Sequence, residues 1–252
     1  SIPVVERGFF YREEGVRMAE MLEQEKKEID LFWLRECLRL AQKARGFTAP
    51  NPMVGAVVVK DGRMVGEGYH QKAGTPHAEI HALRQARDLA RGATLYVSLE
   101  PCCHYGKTPP CTDAIMKAGI QRVVCCMQDP NPKVGGHGLA LLRAAGIAVE
   151  CGLLEQEAQQ INEIFMVNMT QKRPFVALKA ALTLDGKMTA QDGSSKWITG
   201  EEARKHGQYL RHQYGAVLTG SGTVLKDNPQ MNVRLENLLQ PKRIVLDRYL
   251  KV

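Results

Sequence analysis

Thr75-Pro76-His77-Ala78-Glu79 opens, and Glu100-Pro101-Cys102-Cys103-His104-Tyr105-Gly106-Lys107-Thr108-Pro109-Pro110-Cys111 closes, the stretch from which the rest of the chain is read. One histidine and two thiolates fill three tetrahedral positions around zinc and leave the fourth for a water. A carboxylate that is not a ligand can then move that water's protons. Thr75 suits a helix cap and Pro76 a first turn, so a helix is predicted from the motif to about Arg91. Thr108-Pro109-Pro110 repeats the signal and puts Cys111 in the first turn of a second helix. The positive end of a helix dipole favours a thiolate there. Glu79 lies two positions past His77, about 200° around the helix. It is therefore read beside the metal and not as a ligand.

Other readings of these residues are weaker. Cys103 competes with Cys102, although the place directly after Pro101 favours Cys102. His77 and His81 stand four apart like the histidines of HExxH proteases, but Ala78 occupies the place of that motif's glutamate. A lone helix histidine is usually a surface or core residue, and Glu79 alone would be a solvated charge. Cys37, Cys125, Cys126 and Cys151 read as small apolar packing. The combination of His-x-Glu at one helix start with Pro-Cys at a strand end and at a second helix start is what points to a metal.

Composition sets outer bounds. The 252 residues are 44% hydrophobic and 24% charged, ordinary for one large or two smaller soluble domains. No apolar run is long enough to span a membrane, and no signal peptide opens the chain. Seven cysteines, with doublets at Cys102-Cys103 and Cys125-Cys126, suit a reducing, cytoplasmic compartment. The net charge of +7 is spread along the chain, with no Lys/Arg block and no interleaved aromatics. A small phosphorylated substrate needs only a few of those charges, and no nucleic-acid or membrane partner is expected. A homo-oligomer is allowed.

Outward from the motif the chain alternates helices and strands. Residues 1–29 read as an unassigned leader, with Met18 or Met21 as natural starting points. A helix follows from Asp30, its cap, to about Ala44. Val54–Val59 and Met64–Tyr69 read as a hairpin about Asp61-Gly62. Thr94–Leu99, Arg122–Met127 and Ile147–Glu150 are expected strands, and Leu139–Ala145 and Leu154–Met169 expected helices. Lys172-Arg173-Pro174 reads as a junction closing a domain of residues 30–172. In residues 173–252, Phe175–Ala180, Ala216–Thr219 and Arg243–Asp247 are expected strands and Gly200–Tyr209 a helix. Both halves are α/β.

Several further motifs carry a family resemblance: Pro50-Asn51-Pro52-Met53-Val54-Gly55, Gly66-Glu67-Gly68-Tyr69-His70, Pro76-His77-Ala78-Glu79-Ile80-His81-Ala82, Gln128-Asp129-Pro130-Asn131-Pro132 and Leu184-Asp185-Gly186-Lys187. With the Glu100–Cys111 run, they make the chain, from about residue 30 onward, similar to the bifunctional riboflavin biosynthesis proteins. In these a pyrimidine deaminase is fused to a reductase. The wide Cys102–Cys111 spacing differs from the C-x-x-C of cytidine and tRNA-adenosine deaminases.

The resemblance implies a cytidine-deaminase-like three-layer α/β/α domain followed by part of a dihydrofolate-reductase-like domain. It implies one zinc ion held by His77, Cys102 and Cys111, with Glu79 as proton shuttle. Asn51, His70, Lys107, Asp129 and Asn131 match substrate positions, the substrate being a diaminopyrimidinone with a ribosylamino 5′-phosphate. In the second half, NADPH would meet Ala181, Trp197, Thr223 and Asp227. Ser195, Arg211, Met231 and Arg234 match substrate positions, and Lys179 a position associated with activity. The family's reductase is longer than the roughly 80 residues after Lys172, short for a dinucleotide-binding domain. Weak or absent NADPH-dependent activity is the resulting expectation. A tRNA or nucleotide base deaminase and a structural zinc module are the competing readings. The module would need Cys103 or His104 as a fourth ligand.

Overall fold

A computed structural model describes residues 4–106, 109–132, 134–195 and 197–252, with side chains from residue 17 onward. The chain forms two compact units, one from the residues up to Ala44 with Pro50–Pro174, the other from Arg45–Ala49 with Phe175–Val252. Among the described residues no helix is long and apolar enough to cross a membrane.

The first unit is built on five strands: β1 (Gly55–Lys60), β2 (Arg63–Tyr69), β3 (Thr94–Val97), β4 (Arg122–Cys125) and β5 (Ala148–Cys151), in the order β2-β1-β3-β4-β5. β1 runs antiparallel to both β2 and β3, whereas β3, β4 and β5 are parallel. Alternation along each strand divides the core in two. Ala56, Val58, Leu95, Val97, Val123 and Cys125 face helices α2 (Ala78–Ala86), α3 (Cys111–Ala118) and α4 (His137–Ala144). Val57, Val59, Tyr96 and Val124 face α1 (Val4–Gln42) and α5 (Glu155–Ile161). The result is a helix–sheet–helix sandwich.

Packing, not propensity, holds its short helices. α3 and α4 have eight residues each, a length that is marginal in isolation. They are anchored by Ile115, Leu139 and Leu142, all fully buried, and each such side chain contributes about 1.5–3 kcal/mol. α2 approaches β2 so closely that a Cβ on Gly66 would meet the Ala82 carbonyl at 2.2 Å, and one on Gly68 the Ala78 carbonyl at 2.5 Å. Glycine is therefore required at both positions.

Several elements differ from the sequence reading. α1 begins well before Asp30, which is therefore not a cap. Asp30 is buried mid-helix, where it accepts hydrogen bonds from Arg122 and the Tyr96 hydroxyl. α2 starts with His77 as its cap, while Thr75 closes a turn by bonding Lys72. The expected helix over 154–169 is two helices, α5 and α6 (Glu163–Gln171), separated at Asn162.

The second unit contains α7 (Glu201–Tyr214), β6 (Ala216–Gly220), α8 (Ser221–Asp227) and β7 (Lys242–Leu246), with β6 and β7 parallel. α8 follows β6 directly, with Gly220 as its N-terminal cap. Phe175–Ala180 is irregular and not a strand, with Leu178 almost fully exposed. His212 is buried and braces this unit: its Nε2 lies 3.1 Å from the Arg45 carbonyl, and its Nδ1 accepts the Leu239 N–H.

Candidate metal centre

Four elements converge at the C-terminal ends of the interior strands β3 and β4. α2 and α3 present their N-terminal residues, and the chain leaving β3 supplies Glu100 to Cys102. The parallel neighbour β4 leads through Met127 into Asp129–Asn131. The Cys111 N–H donates to Cys102 Sγ at 3.3 Å, and the Thr112 N–H to the Cys102 carbonyl at 3.2 Å. These bonds close the base of the loop between the two cysteines.

His77 Nδ1 lies 3.5 Å from Cys102 Sγ and 3.3 Å from Cys111 Sγ. The three donor atoms lie within 4.8 Å of one another, the one such cluster among the described residues. A tetrahedral zinc with ordinary Zn–N and Zn–S bonds separates neighbouring N and S ligands by about 3.6 Å. The donor set and its spacing fit that ion. Cys103 and His104 stand outside the cluster. Taken by themselves, the two thiols share one proton. The hydrogen bond from Cys111 holds Cys102 well below the ordinary thiol range against the effect of burial, with His77 helping. Cys111 is pushed up for the same reason.

Glu79 is 3% exposed, and its Oε2 has no hydrogen-bond partner. An orphaned carboxylate oxygen in the interior is costly unless something else uses it. The carboxyl lies against the Cys111 thiol. Burial, reinforced by the Cys102 charge, pushes it up to about 7. A carboxyl in that range both takes and returns a proton near neutrality.

On the other flank, Asn51 Nδ2 lies 3.1 Å from His70 Nε2, and His70 Nδ1 lies 3.2 Å from the Pro76 carbonyl. A carbonyl only accepts, so the histidine proton sits on Nδ1, and Nε2 accepts from Asn51. Burial holds His70 below its ordinary range, favouring this neutral form. Its ring meets that of His77 edge-on at 5.2 Å between centroids. Asp129 is half-buried, and burial raises its carboxyl although the Asn131 N–H bonds to it. Lys107 lies outside the described residues.

Two residues near this site had no role in the sequence reading. Glu100 is buried, and its carboxylate accepts N–H bonds from Asp129, Gly136, Gly138 and Leu139. Asn162 bonds the backbone of Met53 through both ends of its amide. An asparagine inside a helical pattern was the one sequence hint.

In the second unit the structure brings Arg211 and Arg234 together through Asn232. Arg211 donates to its carbonyl at 2.9 Å and Arg234 to its side-chain oxygen at 3.2 Å. Gln208 accepts the Arg234 N–H, and Gln240 bonds both backbone groups of Val233. Met231 is nearby in sequence, with a positive φ of 48°. Thr223 and Asp227 lie exposed on α8. Lys179, Ala181, Ser195 and Trp197 lie on irregular, mostly exposed chain, with Arg204 over the Trp197 ring at 4.4 Å.

A helix–sheet–helix sandwich with a His/Cys/Cys cluster and a buried glutamate beyond the C-terminal end of its central strand defines a zinc-binding domain of the cytidine deaminase class. Residues 27–127 match the cytidine and deoxycytidylate deaminase zinc-binding region, and residues 174–252 match the RibD C-terminal domain, a dihydrofolate-reductase-like fold. Across both units the chain is similar to the RibD riboflavin biosynthesis proteins. It is 55% identical over 227 residues to riboflavin biosynthesis protein RibD of Aquifex aeolicus, covering 90% of this chain and 64% of that relative. Its fold matches Acinetobacter baumannii RibD with a TM-score of 0.85 at 48% identity, covering 90% of this chain and 65% of that one. A diaminohydroxyphosphoribosylaminopyrimidine deaminase/5-amino-6-(5-phosphoribosylamino)uracil reductase from Thermotoga maritima gives 0.84 at 50% identity, covering 89% and 64%. The chain thus spans a little under two thirds of the relatives it matches.

Proposed function

We propose that the first unit hydrolytically deaminates a diaminopyrimidinone bearing a ribosylamino 5′-phosphate, as a step of riboflavin biosynthesis. The observation that carries this reading is the buried, unpartnered Glu79 oxygen beside the His77/Cys102/Cys111 cluster. His77, Cys102 and Cys111 would hold a zinc ion, which would supply the Lewis acidity that makes water a nucleophile near neutral pH. Glu79 takes a proton from that water and gives it to the ring nitrogen. It then passes the second proton to the departing amine. A C–O bond forms, the C–N bond breaks, and nitrogen leaves as ammonia.

Asn51, His70, Asp129 and Asn131 orient the substrate, and Lys107 meets the phosphate as a point charge. In the second unit Arg211 and Arg234 suit a phosphate, which bidentate guanidinium groups bind well. That unit contributes to a reductase in which NADPH converts the ribose of the deaminated product to a ribityl chain. Lys179, Ala181, Ser195, Trp197, Thr223, Asp227 and Met231 would serve that half.

Glu79→Gln tests the deaminase reading. Zinc content should stay at one per chain while ammonia release falls by about a hundredfold or more, the scale of a lost general acid–base. Unchanged turnover would rule out the mechanism.

A further inference from the structure

We infer that Asn162 is a positioning residue for the aminopyrimidine site, acting through Met53 on Asn51. This rests on the deaminase reading above. Asn162 separates α5 from α6 at φ −107°, ψ 23°, and is 4% exposed. Its Oδ1 accepts the Met53 N–H at 2.8 Å, and its Nδ2 donates to the Met53 carbonyl at 2.9 Å, across 109 residues of sequence. One side chain thus does what a neighbouring strand would do for that peptide, just before β1 begins.

What it holds is the loop that presents Asn51. Pro52 stands between Met53 and Asn51 with its φ fixed by the ring, so an anchored Met53 transmits its position backward. On the other side, the Val54 carbonyl accepts the His70 N–H at 2.9 Å. Asn51 then donates to His70 Nε2, and His70 Nδ1 donates to the Pro76 carbonyl, one residue before His77. Met53, Asn51, His70 and Pro76 therefore form a frame whose far end adjoins a metal ligand. His70 engages the Asn51 amino group, leaving its Oδ1 as the end to meet an N–H donor on the ring edge. A ring placed even slightly off its productive position loses rate or affinity steeply.

The experiment compares Asn162→Leu, which removes both bonds, with Asn162→Asp, which keeps an acceptor for the Met53 N–H but sets an oxygen against its carbonyl. In the Leu variant KM for the phosphoribosylaminopyrimidine should rise about tenfold or more, with kcat within about threefold and one zinc retained. The Asp variant should be intermediate. Asn51→Ala combined with Asn162→Leu should be no weaker than Asn51→Ala alone, because both changes act through one contact. Independently of turnover, the Met53 amide should exchange with deuterium faster in the Leu variant. The His70 ring nitrogens should move from the Nδ1-protonated tautomer toward a mixture.

An unchanged KM in the folded Leu variant, multiplying losses in the double variant, or zinc loss accompanying the fall in activity would overturn the inference. If the Leu variant does not fold, the Asp variant carries the same comparisons. Absence of ammonia release from the unmodified chain would count against the deaminase reading instead. The exchange and tautomer measurements would still decide the role of Asn162.

Discussion

Glu100 accepts the backbone N–H of Gly138 at 2.8 Å, joining the end of β3 to the start of α4 across 38 residues. The same carboxylate takes the N–H groups of Asp129, Gly136 and Leu139. Glu100→Gln replaces one accepting oxygen by an NH2 group facing backbone donors. It should cost about 2–3 kcal/mol, the scale of hydrogen bonds to a charged group. Thermal unfolding should show the loss, and zinc titration a weaker site, because Cys102 follows two residues later.

Gly138 has no room for a side chain. A Cβ there would stand 2.2 Å from the Pro101 carbonyl. Gly138→Ala should therefore destabilise by about 1–3 kcal/mol through overpacking. A melting temperature equal to that of the unmodified chain would contradict the close approach of α4 to Pro101.

Asp30 pairs with both terminal nitrogens of Arg122 and also accepts from the Tyr96 hydroxyl, locking α1 to β3 and β4. Asp30→Ala leaves a largely buried guanidinium short of its main partner, at a cost of about 3 kcal/mol. Glu150, which also bonds Arg122, keeps the effect from being larger. Denaturant unfolding checks it, with Glu36→Ala, in an exposed pair with Arg39, as a control that should change little.

Metal removal should be legible in thiol chemistry. Cys102 is partly buried and Cys111 is 1% exposed. After chelation, an alkylating reagent should modify Cys102 before Cys111, and added zinc should protect both. Mass spectrometry of the labelled peptides reads the order. Early labelling of Cys111 would mean that its burial does not persist in the chelated chain.

Local signals carried most of the fold. The apolar run at Val57–Val59 and the turn at Asp61-Gly62 announce the β1–β2 hairpin, and prolines mark the helix starts that carry His77 and Cys111. What stayed hidden depends on distant partners. Asp30 looks like a cap until Arg122 and Tyr96 are beside it. Asn162 looks like an ordinary helix residue until Met53 arrives from the far end of the domain. The Phe175–Ala180 segment has a strand's composition, but among the described residues no strand pairs with it. An apolar pattern becomes a strand only when another backbone receives its hydrogen bonds.

The loop between Cys102 and Cys111 leads from the chain leaving β3 to the start of α3, and hydrogen bonds join its two ends at the base. A segment tied at its stem can lengthen or shorten at little thermodynamic cost. The exposed chain at residues 104–106 is accordingly a place where the loop can vary. Swapping it should retune which molecules the domain admits while the metal ligands on either side keep their places.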